Sequence, residues 1–269
     1  MEPPQVLQAM KDATRKIVAL GGGEIGRPGY PVETTGIDEE IIRLAGRSNP
    51  HLLFFPAAAG DSESYYEAVR KHFGRTLGCQ TDVLYLIKER PTTPQIERKV
   101  SWADIVYVGG GNTLRLMKAC RKSGTDAVLR RAWQTGTVLS GLSAGAICWF
   151  AWGNSDARKF KDPAADLIRV RGLGFVNALF CPHYDVERDR RTDLKKMMRR
   201  APGVAIAVDN CCAVEIVDDA FRIISSKPEA RAYRVYWAHD AFHEERIEKA
   251  VEFKPLSGLV TKPRPAPVR

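Results

Sequence analysis

A serine with small neighbours is the first feature of this sequence that could do chemistry. Ser143 stands in Gly141-Leu142-Ser143-Ala144-Gly145, a Gly-x-Ser-x-Gly pattern between an apolar run and an apolar helix start. A serine on a tight strand-to-helix turn projects its hydroxyl outward, and glycines two positions to either side let the turn close. The following helix points its N-terminus at the site, so the Ala144 N–H could stabilise an oxyanion. Taken alone, this short pattern fits an ordinary turn of small residues equally well.

His183 is the histidine best placed to act as a base for this serine. It follows the apolar run 179–181 and Pro182, so it leaves the end of a predicted strand. The other four histidines precede a strand, lie on an amphipathic helix or fall in a charged C-terminal segment. A single histidine at a strand end is more often a structural hydrogen bonder. Its pairing with Ser143 favours the catalytic interpretation.

The residue that would orient the imidazole is open between two aspartates. Asp156 lies between Ser143 and His183 in the chain, which gives the order serine, acid, histidine of α/β-hydrolases. Asp185, two residues after His183, could also reach a histidine at a strand end. Either carboxylate could instead cap a loop. We prefer Asp156 as the third member.

A glycine-rich loop, Gly109-Gly110-Gly111-Asn112-Thr113, is the predicted source of a second oxyanion donor. Glycines let backbone N–H groups approach a ligand without interference from a Cβ atom, so Gly110 or Gly111 is expected to donate. Asn112 would either contact the substrate or cap the helix that begins near Thr113. The alternative is a plain glycine turn before a helix.

The elements that must position these residues are short apolar runs that alternate with amphipathic segments. This alternation predicts an α/β fold with a mostly parallel sheet covered on both faces. Ligands collect at the carboxyl ends of such strands, where the glycine turns 21–23 and 109–111 and the turn at Ser143 fall. Later, shorter apolar runs are interpreted as antiparallel additions at the sheet edge. The runs that predict the central strands are 16–20, 51–55, 83–86, 105–108 and 138–140.

The composition predicts one domain over residues 15–250. Residues 1–14 and the proline-rich segment 251–269 are expected to be mobile. Apolar residues make up 44% of the 269, enough for a substantial core, and no apolar stretch approaches the ~20 residues that span a membrane. The six cysteines show no paired metal-ligand spacing, so we expect reduced thiols, no metal, no cofactor and a cytoplasmic location.

The net charge of +9 raises the question of nucleic-acid binding. The densest basic group, residues 188–200, is typical of one solvated face of a helix and lacks the interleaved aromatic residues of a single-strand binder. We therefore expect no nucleic-acid partner. A basic field would also favour acidic substrates.

A dinucleotide-binding loop is a competing interpretation of the first glycine turn. Residues 21–26 satisfy Gly-x-Gly-x-x-Gly after a strand, but Pro28 and Pro31 follow where a helix should begin. The second strand ends in Pro56-Ala57-Ala58-Ala59 and lacks the acid that would hold a ribose. The context therefore argues against a nicotinamide cofactor.

Three motifs taken together resemble a known family. Residues 109–113, 141–146 and 182–184 resemble peptidase E, the α-aspartyl dipeptidase family of serine peptidases, to which cyanophycinase is related. The agreement in spacing and order runs over about residues 16–237. The resemblance implies a three-layer α/β/α sandwich like that of class I glutamine amidotransferases, with a triad of Ser143, His183 and Asp156. Amidotransferase activity itself would need a cysteine at position 143.

The resemblance also implies removal of an N-terminal aspartate from a dipeptide. A substrate carboxylate is well matched by the bidentate fork of arginine, for which Arg158, Arg188, Arg190 and Arg191 are candidates. We therefore expect a serine peptidase that cleaves short peptides through an acyl-enzyme. Its expected partner is a small peptide, with no membrane partner, and the sequence leaves monomer and homodimer open. The alternative is a binding protein without turnover on the same scaffold.

Overall fold

The most apolar runs of the chain become the central strands of the larger of two sheets. The computed structural model describes residues 13–186 and 190–262. All residues of β4 and β5 are buried, as are those of β1 after Lys16, which is how strands covered on both faces must be built. The strands are β1 (Lys16–Leu20), β2 (His51–Phe55), β3 (Gln80–Val83), β4 (Ile105–Val108), β5 (Val138–Leu142), β6 (Phe150–Ser155), β7 (Ile168–Arg171), β8 (Val176–Cys181), β9 (Ala205–Val208), β10 (Cys212–Val217), β11 (Ala220–Ser225), β12 (Ala232–Ala238), β13 (Ala241–Ile247) and β14 (Lys254–Pro255).

The larger sheet has the strand order β14-β11-β10-β1-β5-β4-β2-β3. Strands β1, β5, β4, β2 and β3 are parallel, whereas β10, β11 and β14 are antiparallel additions at one side. The loops that follow β1, β4 and β5 therefore meet at one edge of the sheet. This arrangement confirms the α/β class.

A second sheet, which the sequence did not distinguish from the first, has the order β13-β12-β9-β8-β6-β7. Its central strands β6, β8 and β9 are parallel to one another. One hydrophobic cluster contains residues of both sheets, among them Val108 of the larger and Phe180 of the smaller. The two sheets thus share a core.

Helices cover both faces of the larger sheet and complete an α/β sandwich. On one face Ile37 and Ile41 pack in a cluster with Val18 and Phe54; on the other, helical residues such as Leu116 join the main core. The helix that begins at Glu63 continues after Val69 as a wider, π-helical turn through Thr76. The helices are α1 (Thr35–Ala45), α2 (Glu63–Val69), α3 (Thr93–Trp102), α4 (Thr113–Ser123), α5 (Thr125–Gln134), α6 (Ala144–Ile147), α7 (Arg190–Arg200) and α8 (Ser257–Val260). No helix in the described ranges is both long and apolar enough to cross a bilayer.

The short helix α6 connects the two sheets. It packs against β1, β4 and β5 of the larger sheet and against β6 and β8 of the smaller one. Its small residues allow this close approach: a Cβ atom on Gly145 would overlap the carbonyl oxygen of Val108.

The C-terminal segment that the sequence predicted to be mobile is docked over part of its length. Strand β14 pairs with β11, and Leu259 of α8 is buried in the main core. Residues 254–260 are therefore part of the fold, which corrects the prediction for that stretch. Of the predicted mobile ends, residues 1–12 and 263–269 lie outside the described residues.

Candidate active site

Ser143 occupies a strained turn between β5 and α6. Its backbone has φ 56° and ψ −111°, a conformation that a residue with a side chain rarely adopts. The surrounding structure holds it there, because the Ser143 N–H donates to Leu20 O at 3.0 Å. Glycine is needed at Gly141 as well, where a Cβ atom would overlap the Gly145 carbonyl.

The first N–H of α6 is available to a ligand. The N–H groups of Ala146 and Ile147 donate to Ser143 O, whereas no acceptor in the described part of the chain lies on the Ala144 N–H. This N–H directly follows the serine. It is therefore suited to stabilise negative charge on the oxygen of a carbonyl group whose carbon is attacked by Ser143 Oγ.

The structure brings His183 to Ser143. The distance between His183 Nε2 and Ser143 Oγ is 2.7 Å, a short hydrogen bond. The histidine follows β8 of the smaller sheet and has a φ of 53°, and its ring reaches Ser143 at the end of β5 in the larger sheet. Its backbone N–H donates to Gly21 O at 3.1 Å, so the loop after β1 fixes the turn.

The partner of the imidazole on its other side is Asn210, which the sequence analysis missed. His183 Nδ1 lies 2.7 Å from Asn210 Oδ1, in the loop after β9. An amide oxygen can only accept, so Nδ1 carries the proton in this pairing and Nε2 offers its lone pair to the serine hydroxyl. This is the tautomer that a general base requires.

Neither aspartate predicted for the third position holds the imidazole, which corrects that prediction. Asp156 follows β6 and Asn210 follows β9, so the loops that carry them flank the loop after β8 on opposite sides. The Tyr184 N–H donates to Val208 O, which ties the histidine turn to β9. Asp185 acts one step further away: its carboxylate accepts the backbone N–H of Asn210 at 2.9 Å.

The glycine turn after β1 makes room for the histidine and asparagine pair. A Cβ atom on Gly22 would overlap both Asn210 Oδ1 and the imidazole of His183. The Cys211 N–H donates to Gly22 O at 2.9 Å, so the two loops are also joined through their backbones. The sequence predicted this turn at the edge of the sheet where ligands bind. In the structure, the turn leaves the space that the side chains of His183 and Asn210 fill.

Most of the chain matches a known protein family. The model of peptidase family S51 matches residues 17–224. The chain belongs to peptidase family S51. The S51 chain is 36% identical over 234 residues to the uncharacterized peptidase YgaJ of Bacillus subtilis, covering 86% of this chain and 96% of that one. It is 29% identical over 150 residues to peptidase E of a Nostoc species, covering 54% of this chain and 57% of that one.

Solved structures share the fold. A peptidase from an acI-B1 actinobacterium superposes with a TM-score of 0.67 at 19% identity, over 90% of this chain and 96% of the other. A putative peptidase E from Listeria monocytogenes gives a TM-score of 0.59 at 20% identity, over 79% and 99%. The family match and the relatives from Bacillus subtilis and Nostoc support a peptidase, and the predicted resemblance to the peptidase E family is confirmed.

In the predicted oxyanion loop of this S51 peptidase, the Gly110 N–H already has an acceptor within the protein. The Gly110 N–H donates to the hydroxyl oxygen of Tyr65 at 3.1 Å. Gly110 nevertheless lies next to the serine, because a Cβ atom built on it would be 3.5 Å from Ser143 Cβ. Gly111 has a φ of 133°, which favours glycine. Tyr65 is the second residue that the sequence analysis missed.

Asn112 of the S51 peptidase caps a helix. Its Oδ1 accepts the Arg115 N–H at 3.0 Å, and its Nδ2 donates to the Ala157 carbonyl at 2.9 Å. Of the two roles predicted for Asn112, the structure therefore shows the cap.

The predicted substrate arginines of the S51 peptidase have varied surroundings. Arg191 is paired with Glu244 through a 2.8 Å bond from Nε, and its guanidinium lies 5.6 Å from the Tyr184 ring. Arg190 is buried and donates to Asn154. Arg158 is exposed in the turn after β6, and Arg188 lies outside the described residues.

A further arginine, Arg27, lies in the long loop after β1. Its side chain is 64% exposed and pairs with the nearly buried Glu24 at 2.6 Å. Burial works to raise the pKa of Glu24, but the hydrogen bonds from Arg27 and Gly26 outweigh it and hold that pKa below its usual value. Glu24 and Arg27 both act electrostatically on Tyr65. The charges of the long loop after β1 thus act on Tyr65, the side chain that accepts the Gly110 N–H.

Substitution of Gly22 by alanine is expected to lower turnover about 10²-fold while leaving the S51 fold intact. The new methyl group would meet the ends of two side chains, which can move, so the histidine would be displaced from the serine. A misplacement of about 1 Å is enough to cost on the order of 10²-fold. Peptide hydrolysis and thermal melting would be measured together.

The matched control is Gly36→Ala at the start of α1, where the nearest atom to a Cβ would be 3.9 Å away. It should behave like the wild type. Equal activity of Gly22→Ala and Gly36→Ala would show that the Gly22 gap does not serve the histidine.

Proposed function

We propose that this chain is a serine peptidase that cleaves short peptides through an acyl-enzyme. The observation that carries the proposal is the continuous hydrogen-bonded series from Ser143 Oγ through the His183 ring to Asn210, with 2.7 Å at each bond. Serine, histidine and a third group that orients the ring form a nucleophile, base and orienting unit. Asn210 takes the place that an acid holds in the commonest triads, as an asparagine does in papain-like proteases.

The first step is attack by Ser143 Oγ on the peptide carbonyl carbon. As the O–C bond forms, the hydroxyl proton passes to His183 Nε2 and the carbonyl electrons move onto oxygen. The Ala144 N–H stabilises that oxyanion. Collapse of the intermediate breaks the C–N bond, and His183 gives its proton to the leaving amine.

The second half restores the enzyme. Water attacks the acyl carbon while His183 Nε2 takes one of its protons, and the second tetrahedral intermediate expels Ser143 Oγ, which receives the proton back. Asn210 keeps the ring in the same tautomer at the start of each half. Its neutral amide orients the ring without adding a second charge.

The substrate class that we propose is short peptides, dipeptides above all, with an N-terminal acidic residue. Support comes from the resemblance to peptidase E and from two exposed guanidinium groups on the loops after β1 and β6. Arg27 lies on the Tyr65 side, and Arg158 directly follows Ala157, whose carbonyl binds the cap of α4. A guanidinium can bind a carboxylate through two parallel hydrogen bonds.

The test of the mechanism is labelling with a fluorophosphonate, which reacts with an activated serine. We expect one labelled peptide, containing Ser143, in the wild type, none in Ser143→Ala, and slower labelling in His183→Ala. The control Ser64→Ala removes an exposed hydroxyl from the same chain and should label normally. A folded wild-type protein that takes no label would favour the binding protein without turnover.

The substrate class is tested separately with dipeptides that carry N-terminal Asp, Glu, Ala or Leu. Faster hydrolysis of the two acidic dipeptides is expected. Equal rates on all four would contradict the proposed acid preference and leave the serine mechanism standing.

A further inference from the structure

The hydroxyl of Tyr65 lies on the glycine loop that borders Ser143. It accepts the Gly110 N–H at 3.1 Å, and Gly110 itself lies against Ser143. A Cβ atom on Gly109 would come within 2.8 Å of Tyr65 Cε1, so the tyrosine ring packs closely over the glycine loop. The ring also contacts Phe54 edge-on at 5.0 Å between centroids, which fixes its position.

In the described part of the chain, the hydroxyl hydrogen of Tyr65 is free to be donated to a ligand. A tyrosine hydroxyl both donates and accepts, and the Gly110 N–H uses only the accepting side. Within residues 13–186 and 190–262, no acceptor lies on the Tyr65 O–H. By contrast, the neighbouring Tyr66 donates its hydroxyl hydrogen to the Thr81 carbonyl at 3.2 Å, away from the serine.

The hydroxyl stays protonated under all ordinary conditions. Burial raises the pKa of Tyr65, and the nearby Glu24 carboxylate adds to that effect, whereas the Gly110 N–H and Arg27 oppose it. A neutral phenol in a site of low polarity is a strong donor toward developing negative charge.

From this geometry we propose that Tyr65 is a catalytic residue that donates its hydroxyl hydrogen to the oxyanion, together with the Ala144 N–H. The proposal rests on the proposed serine peptidase function. In this arrangement the Tyr65 hydroxyl, and not the Gly110 N–H, donates directly to the oxyanion. The Gly110 N–H donates to the phenol oxygen and so polarises the O–H bond. No covalent bond changes at Tyr65 during the cycle.

The experiment compares Tyr65→Phe with Tyr66→Phe in the full-length protein. Each variant loses one hydroxyl from the same helix and keeps its ring, so Tyr66→Phe is a matched control. For the fastest dipeptide of the screen, Tyr65→Phe should lower kcat about 10²-fold with KM within about twofold, the effect of removing one oxyanion donor. Tyr66→Phe should stay within about twofold of the wild type, and the rate of fluorophosphonate labelling should follow kcat.

Results that contradict the role of Tyr65 differ from those that contradict the peptidase function. If the Gly110 N–H is the true donor, removal of the phenol oxygen frees it, and kcat of Tyr65→Phe would be unchanged or higher, which overturns the proposal. A rise in KM with kcat unchanged would also overturn it, because it assigns Tyr65 to substrate positioning. Failure of the wild type to hydrolyse or to label would contradict the serine peptidase function itself.

Discussion

Replacement of Ser143 by alanine is expected to lower kcat about 10⁶-fold, the loss that follows removal of the nucleophile from a serine triad. Replacement of His183 by alanine should cost about as much, because the hydroxyl loses the acceptor that lies 2.7 Å from it. The two residues act as one unit, so the double variant should be no slower than either single one. Single-turnover hydrolysis of the best dipeptide measures these losses.

The backbone of His183 calls for a second variant at that position. Its φ of 53° lies in the left-handed region, where alanine adds strain and asparagine is better tolerated. His183→Asn should therefore melt closer to the wild type than His183→Ala while being equally inactive. A loss below about tenfold in either variant would mean that another group accepts the serine proton.

The second large effect is expected at Asn210. Asn210→Ala removes the acceptor of Nδ1–H, so the ring can rotate and change tautomer; we expect kcat to fall about 10³-fold, somewhat less than for an acid in a full triad. Asn210→Asp keeps an acceptor oxygen and should retain far more activity than Asn210→Ala.

The matched control is Asp156→Asn, which removes the charge of the residue that the sequence favoured. This variant should remain within a few-fold of the wild type, since the structure pairs Nδ1 with Asn210. A larger loss in Asp156→Asn than in Asn210→Ala would restore Asp156 as the orienting residue. Melting temperatures of both variants show whether a loss arises from unfolding.

Much of the site could be predicted because its signals are local. Ser143 stands between a strand and a helix start, His183 follows an apolar strand, and glycine marks the turns at the same sheet edge. Each of these patterns is contained in about ten residues. Parallel strands then bring their ends together, so the sequence could place the loops near one another before any distance was known.

Asn210 could not be found in the same way. It follows His183 by 27 positions, and nothing in the residues around it marks an orienting group. Its role depends on the pairing of β8 with β9, a long-range contact, and on the tie between Tyr184 and Val208. The chain order used to select Asp156 describes α/β-hydrolases, where the acid precedes the histidine.

Tyr65 and the second sheet were missed for related reasons. Tyr65 and Tyr66 stand side by side on an amphipathic helix, and only the three-dimensional arrangement separates the one above Gly110 from the one that binds Thr81. The apolar runs of β6 and β8 resemble those of β1 and β4, and apolar patterning does not state which strands pair.

Ser143 and His183, the proposed nucleophile and base, come from different sheets, and α6 packs against both sheets. The Ser143–His183 distance therefore depends on the position of the smaller sheet relative to the larger one. A slip of about 1 Å between them would cost turnover on the order of 10²-fold with every reacting side chain still present. Substitutions in the core between the two sheets, away from the bound peptide, would then lower turnover before they unfold the protein.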